Sequence, residues 1–178
     1  MKCRPKSNTG GTFVALLNEV FFMNNLTRIA SFSVNHDFIE EGIYISRVDG
    51  DITTYDIRTR KPNGGDYMDN ITMHSVEHMF ASYIRNSEIG ESVIYFGPMG
   101  CRTGFYLLVR DKLPEEVLSA TLLTLERIIA HTGGMLGASR EECGNYLELD
   151  LEAAKVECKR ILATLKSKPC DFKYKESL

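Results

Sequence analysis

The 178-residue chain contains no run of the ~20 uninterrupted apolar residues that a helix needs to cross a bilayer, so no membrane partner is expected. It also lacks a surplus of basic charge. Its 21 Lys and Arg stand against 24 Asp and Glu, a formal net charge of -3 with the signs interspersed. A phosphate backbone calls for a basic stripe or alternating aromatic and basic residues, so no nucleic-acid partner is expected either. Internal repeats and low-complexity segments are absent. The five cysteines are odd in number and irregular in spacing, which makes no disulfide framework and points to a reducing, cytoplasmic setting.

What is present suits one globular domain: 43% of residues are hydrophobic and 25% charged. A chain of this size buries roughly 70% of its unfolded surface. Lys2, Arg4 and Lys6 precede an apolar stretch, as in a signal peptide, but Asn18 and Glu19 interrupt it and no small-x-small cleavage site follows. Met23 opens a more ordinary stretch, so residues 1–22 are expected to be an extension outside the fold, with the domain spanning 23–178.

From Ile43 the runs IYISRV and DITTYDIR, joined at Asp49-Gly50, predict a β-hairpin. After Lys61-Pro62-Asn63-Gly64-Gly65 a helical period begins at Asp69-Asn70 and runs to about Asn86. ESVIYF and TGFYLLVR read as two further strands, separated by Gly97-Pro98-Met99-Gly100. Pro114 opens a helix whose apolar face includes Val117, Leu125 and Ile128, stopping near Gly133-Gly134. Asp150 caps a last helix carrying Leu151, Ala154, Cys158, Ile161, Leu162 and Leu165 at helical spacing, before Pro169. Hairpin-like strand groups with helices between them imply an α+β fold, an antiparallel sheet packed against helices.

The stretch MHSVEHMF carries the chemistry. On a helix turning about 100° per residue, Met73, Val76, Phe80, Tyr83 and Ile84 share one arc, which packs inward. His74, Glu77, His78 and Ala81 fall on the adjacent arc. Histidines at i and i+4 stack so that both imidazoles reach one metal ion, with Glu77 beside them on the apolar edge, placed for proton transfer. The plain alternative is a packing helix on which two histidines happen to fall four apart. The pattern also occurs among inverted-motif metallopeptidases. A third ligand separates these readings, and Cys143, Glu141, Glu142 and Glu148 are all within the downstream segment EECGNYLELD. Thiolate with imidazole suits zinc, iron(II) or cobalt. Cys101, in GPMGCRTGF beside Arg102, is a proton shuttle or nucleophile if activated, and an inert loop thiol if not.

Taken together, SFSVNH, YDIRTRKPN, HSVEHMFASYIRN, GPMGCRTGFYL and ECGNYLELDLEAAK resemble, in order, the signatures of the S-ribosylhomocysteine lyase family, LuxS. The resemblance spans about Ser31 to Lys166. It implies that His74, His78 and Cys143 hold a catalytic Fe(2+), that Glu77 and Cys101 are the acid/base residues, and that Ser31, His36 and Arg58 bind substrate. It implies a homodimer with active sites at the subunit interface. The implied reaction cleaves S-ribosylhomocysteine to homocysteine and 4,5-dihydroxy-2,3-pentanedione, the autoinducer-2 precursor. Moving the sugar carbonyl from C1 to C3 acidifies the C4 proton and makes the C5 thiolate a β-leaving group. Each shift passes through an enediolate, whose charge calls for a cation and whose protons call for bases. By residue chemistry alone, Arg58 is equally a solvated arginine at a strand end and His36 a surface turn residue. His131, Cys3, Cys158 and Cys170 are read as structural or incidental. The chain departs from the family pattern at Tyr95-Phe96-Gly97, where many members carry an aspartate, then Ile or Leu, then Ser. A tyrosine brings no carboxylate for the homocysteine ammonium.

Overall fold

The computed structural model describes residues 29–167 and 169–175, so the expected extension 1–22 and Cys3 lie outside the described residues. The chain divides into two units, residues 1–33 and 34–178. The described part of the first holds one helical turn, Ala30–Ser33, in which Ser31 lies.

The second unit is α+β. Its sheet is antiparallel, with β1 (Gly42–Asp49), β2 (Ile52–Arg58), β3 (Val93–Pro98) and β4 (Gly104–Arg110) in the order β1-β2-β4-β3. Asp49-Gly50 makes the expected hairpin turn, with Gly50 at φ 62°. That left-handed angle is one that glycine adopts without steric cost. β3 runs through Gly97 and Pro98 rather than stopping before them. Pro98 is tolerated because β3 is an edge strand, where a missing N–H donor breaks no ladder on the free side.

Three helices, α1 (Asn70–Arg85), α2 (Pro114–Ala130) and α3 (Leu151–Ser167), pack on one another, with α1 also against β3. Their starts follow the expected capping. Asp69 accepts from the Thr72 N–H at 2.7 Å, and Asp150 from the Glu152 N–H at 2.8 Å. α2 ends at Ala130, three residues before Gly133. The core-facing residues of the sheet, Ile43, Tyr55, Ile57, Phe105 and Leu107, meet Val76, Met79, Phe80 and Ile84 of α1 within one cluster. Phe80, Phe96 and Phe105 stack in sequence, with ring centroids 4.2 and 5.1 Å apart. Each such side chain contributes ~1.5–3 kcal/mol on burial.

The other face of the sheet aligns Tyr44, Asp56 and Tyr106 across β1, β2 and β4. At the free edge of β1, the Ile45 N–H donates to the Phe172 carbonyl at 2.8 Å. Phe172 is buried, sits edge-on to Tyr55, and has φ 59°. A bulky residue in that region costs ~1–3 kcal/mol and persists only where its surroundings hold it.

One buried ion pair ties α3 to the segment leaving β2. The Arg60 guanidinium donates twice to Glu157, both at 2.6 Å. Glu157→Ala leaves that cation without its main partner. The variant is expected to lose ~3–5 kcal/mol of stability, read as a lower urea midpoint.

Candidate metal centre and acid/base residues

α1 presents His74, Glu77 and His78 on one side, while Val76, Met79 and Phe80 go into the core. The two imidazoles cross nearly at right angles, with centroids 4.7 Å apart. Each ring is fixed through Nδ1. His74 Nδ1 lies 3.1 Å from the Glu148 carbonyl and His78 Nδ1 3.1 Å from the Leu136 carbonyl. A carbonyl can only accept, so both Nδ1 atoms carry the proton and both Nε2 lone pairs are left for an ion. Cys143 Sγ lies 3.4 Å from His74 Nε2, and one ligand atom from each of His74, His78 and Cys143 falls within 4.8 Å of the others.

The segment 131–150, between α2 and α3, thus supplies three things: a thiol and two orienting carbonyls. It carries no regular helix or strand. The donor set suits a metal ion. Two neutral imidazoles and a thiolate match zinc, iron(II) or cobalt and leave a fourth position for water or substrate. Gly137, at φ +66°, passes so near His78 that a Cβ there would stand 2.7 Å from Nδ1. Gly137→Ala is therefore expected to displace the Leu136 carbonyl from its imidazole. Metal affinity falls about 10- to 100-fold, measurable by competition with a chromophoric chelator.

Glu77 shares with this trio a hollow of about 500 Å³, which Phe96, Gly137 and Glu142 also line. Burial pushes its carboxyl above the usual range, against a smaller downward pull from His74 and His78. A half-buried carboxyl held that way can both give and take a proton.

Cys101 lies elsewhere, at the tip of the β3–β4 loop. The Arg102 N–H donates to the Met99 carbonyl, and the Met99 N–H to the Gly104 carbonyl, both at 2.9 Å, which closes the turn. The exposed thiol sits 3.0 Å from Thr103 Oγ1 and 4.0 Å from Arg58 Nη1. Arg58 is no solvated strand end. It is buried, and forks onto Asp56 at 3.1 and 2.5 Å while donating to Thr103 Oγ1 at 2.7 Å. Burial works against its charge, but Asp56 outweighs burial, with Cys101 and Tyr174 adding, and raises its pKa. His36, in a short 3-10 turn, lines a second hollow of about 350 Å³ with Tyr67, Cys101, Arg102 and Thr103. The two hollows share no lining residue.

The family profile for S-Ribosylhomocysteinase (LuxS) matches residues 29–171. The chain belongs to that family. Proteins named S-ribosylhomocysteine lyase resemble it over most of their length. One from Clostridium beijerinckii is 40% identical over 143 residues, covering 77% of this chain and 90% of the relative. One from Finegoldia magna is 42% identical over 135 residues, covering 73% and 86%. One from Borreliella burgdorferi is 38% identical over 146 residues, covering 79% and 93%. The inverted-motif peptidase reading has no support here: Cys143 joins the two histidines, whereas Glu148 meets His74 through its backbone carbonyl.

Leu136, Asp56 and Thr103 are site residues that the sequence did not single out, and Glu148, a candidate side-chain ligand by sequence, contributes its main-chain carbonyl instead. Main-chain acceptors such as Leu136 and Glu148 leave no trace in side-chain identity. Asp56 had a signal, since i and i+2 on a strand face the same way, which puts it beside Arg58. His131 is structural, as expected, with both nitrogens engaged by Tyr83 and the Gly134 carbonyl. Cys158 is buried and its thiol pKa is pushed up by burial. Among the described residues, no helix is long and apolar enough to cross a membrane.

Proposed function

We propose that this protein is a cytoplasmic S-ribosylhomocysteine lyase, releasing L-homocysteine and 4,5-dihydroxy-2,3-pentanedione. The homocysteine returns to the activated methyl cycle and the dione is the precursor of autoinducer-2 in quorum sensing. The observation that carries the reading is the trio His74, His78 and Cys143 with Glu77 at its side, in a chain of this family. These three residues would hold one Fe(2+) per subunit, with zinc or cobalt as substitutes. When bound, the ion supplies Lewis acidity that polarises a substrate carbonyl.

The chain's own residues move the protons. Cys101 takes a proton from one sugar carbon and returns it to the next, which walks the carbonyl from C1 to C3. Glu77 exchanges protons with the substrate's hydroxyl and carbonyl oxygens. In the last step the C4 proton leaves, the C5–S bond breaks, and the departing homocysteine thiolate gains a proton. Ser31, His36 and Arg58 bind the substrate. Arg58 also places a cation that meets negative charge developing on the Cys101 sulfur.

The acid/base pair must face one substrate, yet Glu77 and Cys101 line separate hollows. That separation supports a homodimer in which the face carrying His36, Arg58 and Cys101 completes the partner's metal site. The lyase domain is taken as residues 23–178, with 1–22 an extension. Anaerobic purification with metal analysis, followed by incubation with S-ribosylhomocysteine and a free-thiol assay, tests the proposal. Iron- or cobalt-loaded, folded protein that releases no thiol overturns it.

A further inference from the structure

We propose that Tyr174 is a positioning residue for Cys101, acting through Asp56 and Arg58. The inference rests on the acid/base role given to Cys101 above. Tyr174 lies beyond residue 171, where the family match ends. Its hydroxyl donates to Asp56 Oδ2 at 2.8 Å, the same oxygen that receives Arg58 Nη2. Arg58 in turn reaches Thr103 Oγ1 and Cys101 Sγ through Nη1. A continuous chain of polar contacts therefore runs from the C-terminal segment to the reactive sulfur. The carboxylate at its centre is fully buried, so its lone pairs must be met by protein groups, and Tyr174 meets one of them.

The backbone is bent to make this contact. Phe172 belongs to the core side of the sheet, against Tyr55, whereas Asp56 points to the opposite face. In a regular strand Phe172 and Tyr174 would share one face. The left-handed turn at Phe172 breaks that alternation, and Tyr174 stacks on Tyr44, with centroids 4.8 Å apart and planes 17° from parallel. A residue held in an unfavourable conformation so that a hydroxyl reaches a buried carboxylate fits a functional contact better than simple edge covering. Other groups around Arg58 and Cys101 include Tyr106, on the same sheet face, and His36, Tyr67 and Arg102 lining the hollow at the loop. Burial, with Asp56 adding to it, pushes up the hydroxyl pKa values of both Tyr106 and Tyr174, so both remain protonated at neutral pH.

The test uses the full chain, metal-loaded and metal-free. Tyr174→Phe keeps the ring and removes the hydroxyl. Metal content is expected to match the parent, and the thermal midpoint falls modestly because the buried Asp56 carboxylate loses one donor. The kcat falls about tenfold with KM changed less than about twofold, as loss of a hydrogen bond to a charged group predicts. Iodoacetamide labelling of Cys101, read at its own peptide by mass spectrometry, is expected to slow in both metal states. A chain ending at Lys173, which keeps the Phe172 anchor, is the second variant and is expected to show the same slowing. Arg58→Lys and the double variant complete a cycle. Action through Arg58 makes the double variant no slower than Arg58→Lys alone. Unchanged labelling in both Tyr174 variants overturns the inference, as does a multiplicative loss in the double variant. Cys101→Ala separates the two levels. If it is inactive while Tyr174→Phe is normal, only the inference fails; if it is fully active, the role of Cys101 fails and takes the inference with it.

Discussion

Cys101→Ala is expected to leave the bound metal unchanged and to lower kcat by about 10²- to 10⁴-fold, the usual worth of a positioned acid/base group. Cys101 is exposed, at a loop tip, and within its own chain its sulfur faces Thr103 and Arg58 rather than His74, His78 or Cys143. Removing its sulfur therefore disturbs neither the trio nor the core. What it removes is the one titratable group of that loop facing the Arg58 guanidinium. KM is expected to change little, because the hollow keeps His36 and Tyr67. The measurement is steady-state thiol release beside metal analysis of the same preparation.

Cys143→Ala has the opposite signature. The metal is lost, and turnover disappears with it. Four-ligand sites bind with ~10–16 kcal/mol in favourable cases, so one ligand carries about 2.5–4 kcal/mol. That is on the order of 10²- to 10³-fold in affinity. The Cys143 sulfur also accepts from the Asn145 N–H at 3.4 Å, so its removal loosens the loop that orients His74. The protein still folds, because Cys143 sits outside the packed cluster of sheet and helices. Metal content by atomic emission, with circular dichroism of the same sample, separates metal loss from unfolding. Equal metal loss in the Cys101 and Cys143 variants would mean that their roles have been wrongly divided.

The parts of this site that follow a period were legible in the sequence. His74, Glu77 and His78 share a helix face because 3.6 residues make a turn. The hairpin at Asp49-Gly50 was legible because so few residues accept a positive φ. Cys143 was not singled out by residue chemistry, since EECGNYLELD also offers Glu141, Glu142 and Glu148 and an irregular segment has no period to choose among them. The resemblance singled out Cys143, and the structure places its sulfur beside the histidines. β3 ran further than expected because proline's effect on a strand depends on whether its neighbour side is free, and that is a property of the whole sheet. The contact between Tyr174 and Asp56, 118 positions apart, belongs to the same class. It exists only once the C-terminal segment has turned at Phe172.

The loop between α2 and α3 also sets rules for where this chain tolerates changes of length. Leu136, Cys143 and Glu148 are three fixed points on α1's histidines, with six residues between the first pair and four between the second. One residue added or removed shifts the chain by up to about 3.5 Å, more than the whole length of a hydrogen bond. Within those two spans, insertions and deletions act as mutations of the candidate metal centre, although they touch none of His74, His78 and Cys143. Ahead of Leu136 the chain is held as well, at His131 by Tyr83 and the Gly134 carbonyl, so the same rule reaches back to the end of α2.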